Sequence, residues 1–280
     1  QKKPFFLYYA CHSNHTSHDP CQEIEGRQVK GKSHPGGKRS DFIYENDVVL
    51  GLLIDYLKKH DDPRRQGHEL IDNTLLIFTS DNGSESKKKT ATGPLRSNKG
   101  SIYEGGHRVP FIASWPLGGI GNGDPRNDGQ TSSFPICHVD LLATLAEIIG
   151  TPLPANNGED SFSILSALKN QPPANRTAII HNDHNEGARL AGKKAKDPEA
   201  AWIAIRIDNP VVKGKQIAGQ WKMLVDHHLL IHGKLNPREL YELTTDLKEQ
   251  TNRINESALQ PLVNELAKRL QTIHDSGRIQ

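Results

Sequence analysis

The feature that most constrains the fold of this chain is an apolar run that ends abruptly in a polar turn. Residues Thr74–Thr79 are rich in β-branched and aromatic side chains, which predicts a buried strand. The turn Ser80–Gly83 follows directly. In open α/β sheets, ligands bind outside the carboxyl ends of the strands. The turn is therefore a candidate functional site, although an isolated Asp-Asn-Gly sequence is also a common tight turn.

Asp81 and Asn82 are the candidate metal ligands of this turn. A carboxylate and an amide both offer hard oxygens, which suit Ca²⁺ or Mg²⁺ rather than zinc. Farther along, a glycine-punctuated loop carries Arg96 and Lys99 and ends at the triplet Glu104–Gly106. Fixed cations stabilise negative charge on the oxygens of a transferring group. The stretch thus combines cation ligands with side chains suited to an anionic substrate.

The order and spacing of these residues resemble the formylglycine-dependent sulfatases (arylsulfatases) of the alkaline-phosphatase-like superfamily. The shared pattern is a strand, then S-D-N-G, then G-x-L-R-x-x-K-G-S-x-x-E-G-G-x-R-V-P-x-I-x-x-W-P. Further landmarks run from Pro4–Ala10 to Leu240–Leu243. The resemblance implies an α/β fold, with part of a mixed sheet flanked by helices and then a small antiparallel-sheet-plus-helix module. It also implies sulfuric ester hydrolysis as the activity.

The resemblance implies specific roles for residues of the loop. Lys99 occupies the position of the family's sulfate-contacting lysine, and Asp81 and Asn82 occupy those of cation ligands. Ca²⁺ is the expected cation, with Mg²⁺ as the alternative. Arg96 is either a second substrate-binding cation or a brace for the loop.

A histidine is also expected in the site, after the predicted buried strand Phe5–Tyr9. The family places a sulfate-contacting histidine there, in an H-x-P-like setting. His15 fits this position best, and His12 is the alternative. An imidazole can neutralise a sulfate oxygen or donate a proton to the leaving group.

The nucleophile of the family is not found in this sequence. No C-x-P-x-R or S-x-P-x-R occurs, and the three cysteines lie in other contexts. The formylglycine and the remaining metal ligands are expected upstream of Gln1. Two ligands fall short of the six to eight oxygens that Ca²⁺ prefers. The 280 residues are therefore expected not to turn over sulfate esters alone, whereas the parent protein is expected to do so.

Two other functional classes remain open. A phosphodiesterase or phosphonate hydrolase of the same superfamily would share Asp81 and the sheet, although such relatives usually hold two metals. A catalytically inactive paralogue would bind sulfated glycans through basic loops. The substrate or ligand is expected to be a sulfated small molecule or a sulfated polysaccharide.

The chain is predicted to divide near a composition break at residues 171–173. Residues 1–170 are predicted to form the C-terminal part of the sulfatase α/β domain, and residues 171–280 a small α+β subdomain. Helices are predicted at Asp41–Lys59, Val139–Ile149 and Ser257–Leu270, and further strands at Val109–Trp115, Trp202–Ile207, Trp221–Val225 and Leu240–Leu243. His181 and His184 are predicted to lie in a loop, either on the surface or lining the substrate pocket.

Composition excludes some partners. The chain has 35 basic and 33 acidic residues and a formal charge of +2, which is too balanced for a nucleic-acid-binding protein. No apolar run approaches the roughly 18 residues that a membrane-spanning helix needs. The three cysteines give no zinc pattern. From the family resemblance, a periplasmic or secreted location is expected.

Overall fold

The structure, a computed structural model, describes residues 3–85, 89–121, 129–171, 176–183 and 201–279. The chain forms two compact units, and each is described by itself. Unit 1 comprises Gln1–Ile77 and Ala113–Gly129, and unit 2 comprises Phe78–Ile112 and Gln130–Gln280. The division near residue 170 that the sequence suggests stays a prediction.

The first part of the chain contains both helices and short strands. In order, the elements are β1 (Glu23–Ile24), β2 (Arg27–Gln28), α1 (Lys38–Lys59), β3 (Leu76–Thr79), α2 (Lys89–Thr92), α3 (Glu104–His107), β4 (Phe111–Ser114), α4 (Asp140–Ile148) and α5 (Leu165–Leu168). β1 pairs with β2 as a short antiparallel hairpin, and β3 and β4 form a two-stranded sheet. The strands predicted at Thr74–Thr79 and Val109–Trp115 and the helices predicted at Asp41–Lys59 and Val139–Ile149 are therefore confirmed, with ends shifted by up to three residues.

The prediction of a buried strand at Phe5–Tyr9 is wrong. The segment forms no strand, and its side chains are exposed, from 55% for Phe5 to 81% for Tyr8. Likewise, the residues of β3 are only partly buried. A run of apolar side chains becomes a buried strand only where neighbouring strands and helices cover both faces. Composition alone does not specify those neighbours.

The fully buried residues of α4 are not its leucines and isoleucines. Asp140, Thr144 and Ala146 are its buried residues, whereas Leu142 is 51% exposed. The Asp140 carboxylate accepts hydrogen bonds from the amides of Cys137 (2.7 Å) and Phe162 (3.1 Å). A buried carboxylate is stable only when it is hydrogen-bonded or paired. These bonds therefore decide which face of the helix points inward.

The C-terminal part is an antiparallel sheet with one long helix. Its elements are β5 (Ile179–Asn182), β6 (Trp202–Asp208), β7 (Val211–Val212), β8 (Lys215–Gln216), β9 (Gln220–Asp226), α6 (His227–Ile231), β10 (Pro237–Glu242) and α7 (Gln260–Ser276). The main sheet has the order β10-β9-β6-β5, and every pair in it is antiparallel. The predicted sheet-plus-helix module is confirmed.

The two faces of this sheet have different partners. Side chains alternate between faces along a strand, so Ile205 and Met223 belong to one core and Ala204 and Leu224 to another. The first core includes the buried stripe of α7, which comprises Leu262, Val263, Leu266, Ala267, Leu270 and Ile273. The second core contains Ile102 and Tyr103, Trp202, Tyr241 and Leu243. The sheet therefore has one face on its helix and the other on the residues just before α3.

No membrane-crossing element is seen in the described ranges, because none of their helices is both long enough and apolar enough to span a bilayer.

Candidate functional site

The site loop, defined as residues 81–85 and 96–106 of unit 2, is held together by backbone hydrogen bonds. The Gly83 amide donates to the Gly106 carbonyl at 2.9 Å, and the Gly105 amide donates to the Arg96 carbonyl at 2.8 Å. Both contacts join stretches that are well separated in sequence. The turn after β3 therefore rests directly on the glycine turn of α3.

Gly83 and Gly106 lie where backbone segments of the site loop approach too closely to leave room for a side chain. A Cβ atom on Gly83 would lie 2.0 Å from the Gly105 carbonyl oxygen, and one on Gly106 would lie 2.0 Å from the Ser101 carbonyl oxygen. Both neighbours are backbone atoms, which cannot move aside as a flexible side chain can. The two glycines thus fix how near the turn lies to the rest of the loop.

The predicted cation ligands lie at the carboxyl end of β3. Asp81 is exposed and Asn82 is partly buried, and the Asn82 amide nitrogen donates to the Gly83 carbonyl at 3.2 Å. The last residue of the strand, Thr79, has its hydroxyl 2.9 Å from His138 Nε2. His138 was missed by sequence reasoning, since it lies far along the chain and in no recognisable motif.

Lys99 lies beside the same turn. Its backbone amide donates to the Ser84 carbonyl at 2.8 Å. Its ammonium is 3.1 Å from Glu85 Oε1, and its side chain is 36% exposed. The structure therefore brings Asp81, Asn82 and Lys99 into one connected loop with the ammonium accessible to solvent.

The guanidinium of Arg96 is directed to the C-terminal module. It donates to the Tyr241 hydroxyl at 2.9 Å and to the Glu249 carbonyl at 2.8 Å. It also lies 3.5 Å from the centre of the Tyr103 ring, a cation–π arrangement. These are the contacts of a brace, and a contact between Arg96 and sulfate stays a prediction.

The candidate histidines belong to unit 1. His15 is exposed, and its Nδ1 lies 2.6 Å from the Thr16 carbonyl oxygen. His12 and His18 each make an edge contact with the ring of Phe42. Sequence reasoning passed over His18, although His18-Asp19-Pro20 is a literal H-x-P. That triplet is the signal that could have found it.

The donor set for a divalent cation is incomplete. In the part of the chain that the structure describes, no group of three or more His, Cys, Asp or Glu side chains is arranged to bind a metal. Asp81 and Asn82 are adjacent in sequence, and the chemistry of their side-chain oxygens fits a hard cation such as Ca²⁺, but as two members of a larger ligand set.

A buried ion cluster lies behind the glycine turn. Lys222 of β9 is fully buried, and its ammonium donates to Glu104 Oε1 (3.0 Å) and Glu249 Oε1 (2.8 Å). The Glu104 carboxylate also lies 3.2 Å from His107 Nε2. Burial would raise the pKa of Glu104, but the ammonium of Lys222 and the ring of His107 outweigh it and lower that pKa below its ordinary value. Glu104 is therefore ionised in the folded chain.

His181 extends this cluster and does not lie in a loop as predicted. It belongs to β5, its ring stacks on that of His107 at 3.9 Å, and its buried Nε2 has no hydrogen-bond partner among the described residues. Burial lowers the pKa of His181 well below the ordinary value. The charges of His107, Lys222 and Arg206 lower this pKa further, whereas the carboxylate of Glu104 raises it. His184 lies outside the described residues.

We expect acid to destabilise the chain through His181. The unfolded chain binds a proton on this imidazole near its ordinary pKa of about 6.5, whereas the folded chain does not. The stabilising contribution is therefore complete above that pH and is lost as the pH falls below it. Urea unfolding between pH 7.5 and 5 measures the slope of stability against pH.

Two variants separate this effect from the titration of other groups. His181→Phe retains an aromatic ring and should make the slope shallower, whereas His274→Phe, at an exposed histidine of α7, should retain the wild-type slope. Equal slopes in both variants would contradict the assignment to His181.

Comparison with known proteins identifies the family. The model of the family described as Sulfatase matches residues 1–151, which is more than half of the 280 residues. Human arylsulfatase A is 36% identical over 171 residues, covering 60% of this chain and 29% of the relative. The N-acetylgalactosamine-6-O-sulfatase of Bacteroides thetaiotaomicron is 26% identical over 288 residues, covering 98% of this chain and 48% of the relative.

A solved structure agrees with the predicted fold. A protein from work on glycosaminoglycan metabolism by Bacteroides thetaiotaomicron superposes with a TM-score of 0.57 at 26% identity, covering 85% of this chain and 44% of that chain. The chain therefore spans about half the length of this structure and of the bacterial sulfatase, 44% and 48% respectively. It spans a smaller share, 29%, of the human enzyme. The α/β fold of the alkaline-phosphatase-like superfamily is thereby confirmed. The chain belongs to the sulfatase family.

Proposed function

We propose that the natural protein containing this chain hydrolyses sulfate esters. The observation that carries the proposal is the site loop. It joins the turn that carries Asp81 and Asn82 to the segment that carries Lys99 by backbone hydrogen bonds, and it lies within the matched residues 1–151. The names of the relatives, an arylsulfatase and an N-acetylgalactosamine-6-O-sulfatase, support the same reaction.

The residues of the site loop would have different roles, according to their charge. Asp81 and Asn82 would supply two oxygen ligands to a divalent cation, Ca²⁺ or Mg²⁺. Lys99 would contact the sulfate and stabilise charge on its oxygens as the ester bond breaks. Arg96 would hold the loop on the module, with substrate contact as its second assigned role.

A histidine would complete the substrate contacts. His15 is the assigned residue, with His12 and His18 as alternatives to be separated by single substitutions. A neutral or protonated imidazole can donate a hydrogen bond to a sulfate oxygen, and a protonated imidazole can transfer a proton to the leaving group. The variant that loses most activity identifies the contact.

The groups that complete the chemistry would be a bound cation and a formylglycine, supplying charge neutralisation and the nucleophile that attacks sulfur. The substrate would be a sulfated small molecule or a sulfated polysaccharide, and a sulfated amino sugar fits the name of the bacterial relative. A periplasmic or secreted location would give access to such substrates.

Release of 4-nitrophenol from 4-nitrophenyl sulfate by the natural protein tests the proposal. We expect turnover that a chelator abolishes and that added Ca²⁺ or Mg²⁺ restores. Asp81→Ala should raise the cation concentration needed for half-maximal rate, whereas Asp160→Ala, at a carboxylate outside the site loop, should leave it unchanged. Failure of the natural protein to release product from any sulfate ester would contradict the proposal.

A further inference from the structure

Lys222 occupies an unusual position for a lysine. It lies in the middle of β9, between its register partners Arg206 on β6 and Tyr241 on β10, and its relative exposure is 0%. Lysine is almost never fully buried unless it is paired. Alternation along the strand places its side chain on the same face as Leu224, which is the face that contacts Ile102 and Tyr103.

The partners of the ammonium come from outside the sheet. Glu104 is the first residue of α3, and Glu249 lies in the segment that follows β10. The second oxygen of Glu249 accepts a hydrogen bond from the Glu104 backbone amide at 2.7 Å. Lys222, Glu104 and Glu249 therefore form a closed ring of contacts around the start of the glycine turn.

Such a ring is a costly way to stabilise a sheet. Removing an ammonium and two carboxylates from water carries a desolvation penalty, and apolar residues of similar volume often stabilise a core equally well. The ring does something that an apolar core would not do. It fixes both the carboxylate and the backbone amide of Glu104, and therefore the direction in which the chain enters Gly105 and Gly106.

The glycine turn transmits this position to the candidate ligands. The Gly106 carbonyl accepts the Gly83 amide at 2.9 Å, and the space for a Cβ atom on Gly83 is filled by the Gly105 carbonyl. A displacement of α3 would therefore move Gly83, which adjoins Asn82 and Asp81. Gly106 lies two positions after Glu104, and Asp81 lies two positions before Gly83.

We propose that Lys222 is a positioning residue of the site. Its ammonium holds Glu104, and through the glycine turn it sets the backbone that carries Asp81 and Asn82. The structural part of this inference stands on the contacts above, whereas its consequence for catalysis rests on the proposed function. Lys222 itself would contact neither substrate nor cation.

Amide hydrogen exchange of the 280-residue chain tests the structural part. Lys222→Met retains the length of the side chain and removes its charge. In this variant we expect exchange at the Gly83 and Gly105 amides to accelerate at least about tenfold more than exchange at the Met223 amide, because the loop opens locally while the sheet stays closed. A lysine that only stabilised the sheet would accelerate all three equally, and that result would overturn the proposal.

A neutral triple variant keeps the test decisive if Lys222→Met unfolds the chain. Lys222→Met combined with Glu104→Gln and Glu249→Gln removes the unpaired buried charges, which should restore the sheet. We expect slow exchange at Met223 to return while Gly83 still exchanges fast. In Lys222→Arg, which retains the charge, exchange at the Gly83 amide should be slower than in Lys222→Met or in the triple variant. Full protection of Gly83 in the triple variant would overturn the proposal.

Activity of the natural protein tests the catalytic part separately. Lys222→Met should raise the Ca²⁺ concentration needed for half-maximal release of 4-nitrophenol from 4-nitrophenyl sulfate, and Lys222→Arg should recover part of the loss. An unchanged Ca²⁺ requirement in an active Lys222→Met variant would overturn the catalytic part. A wild-type protein without any sulfatase activity would instead contradict the proposed function, and exchange at Gly83 would still decide the structural part.

Discussion

Replacing Gly83 with alanine should both destabilise the chain and inactivate the natural protein. The added methyl group would lie 2.0 Å from the Gly105 carbonyl oxygen and 2.8 Å from the Gly106 carbonyl carbon. Because both atoms belong to the backbone, the turn that carries Asp81 and Asn82 must move. Overpacking of this kind costs about 1–3 kcal/mol, and a displacement of about 1 Å at a catalytic site can cost about 10²-fold in rate.

The matched control is Gly129→Ala. No atom of the residues that the structure describes lies within 4 Å of a Cβ added at Gly129, so the same chemical change should leave the urea midpoint and the rate near their wild-type values. Urea unfolding measures the first effect, and hydrolysis of 4-nitrophenyl sulfate by the natural protein measures the second. If Gly83→Ala had the same urea midpoint and the same hydrolysis rate as Gly129→Ala, the close approach of the two turns would affect neither stability nor activity.

Replacing Lys99 with alanine should reduce catalysis without unfolding the protein. Lys99 and Glu85 form a partly exposed ion pair, and such pairs contribute about 0–1 kcal/mol to stability. A cation placed on the oxygens of a transferring group contributes far more to the rate. We therefore expect kcat/KM for a sulfate ester to fall by about 10²–10³-fold, by analogy with the loss of one oxyanion-stabilising donor.

Lys169→Ala is the control for this substitution. Lys169 is partly buried to a similar degree but follows α5, outside the site loop. It should retain the wild-type kcat/KM and a similar urea midpoint. Equal activity of the Lys99→Ala and wild-type proteins would contradict the assignment of Lys99 as a sulfate contact.

The local features of the site loop could be predicted from the sequence because they depend on neighbouring residues. The strand before Asp81, the glycine turn and the strand after it all follow from short patterns with fixed spacing. The strands β6 and β9 and the buried stripe of α7 were predictable for the same reason. Alternation and helical periodicity are properties of contiguous sequence.

Other features depend on contacts between distant residues, and no local pattern encodes them. Lys222 was recognised only as part of a strand, since its partner Glu104 lies 118 positions away. His181 was predicted to lie in a loop, but its place in β5 is fixed by pairing with Ala204 of β6. The apolar composition of Phe5–Tyr9 predicted burial, whereas the segment is exposed.

Arg96 shows the limit of assigning roles from position in a motif. Sequence reasoning left two roles open, a second sulfate contact and a brace. The hydrogen bonds to Tyr241 and Glu249 and the contact with the Tyr103 ring are those of a brace. Two of these partners lie more than a hundred residues away, and a motif carries no information about them.

The most direct test of the central claim is the substrate preference of the natural protein. The ratio of kcat/KM for 4-nitrophenyl sulfate to that for 4-nitrophenyl phenylphosphonate, measured with Ca²⁺ present, compares sulfuric ester hydrolysis with the chemistry of the phosphonate hydrolases. We predict a preference for the sulfate ester of at least about 10²-fold. The preference should shrink in Lys99→Ala and persist in Lys169→Ala. A preference for the phosphonate ester, or hydrolysis of neither compound, would contradict the claim.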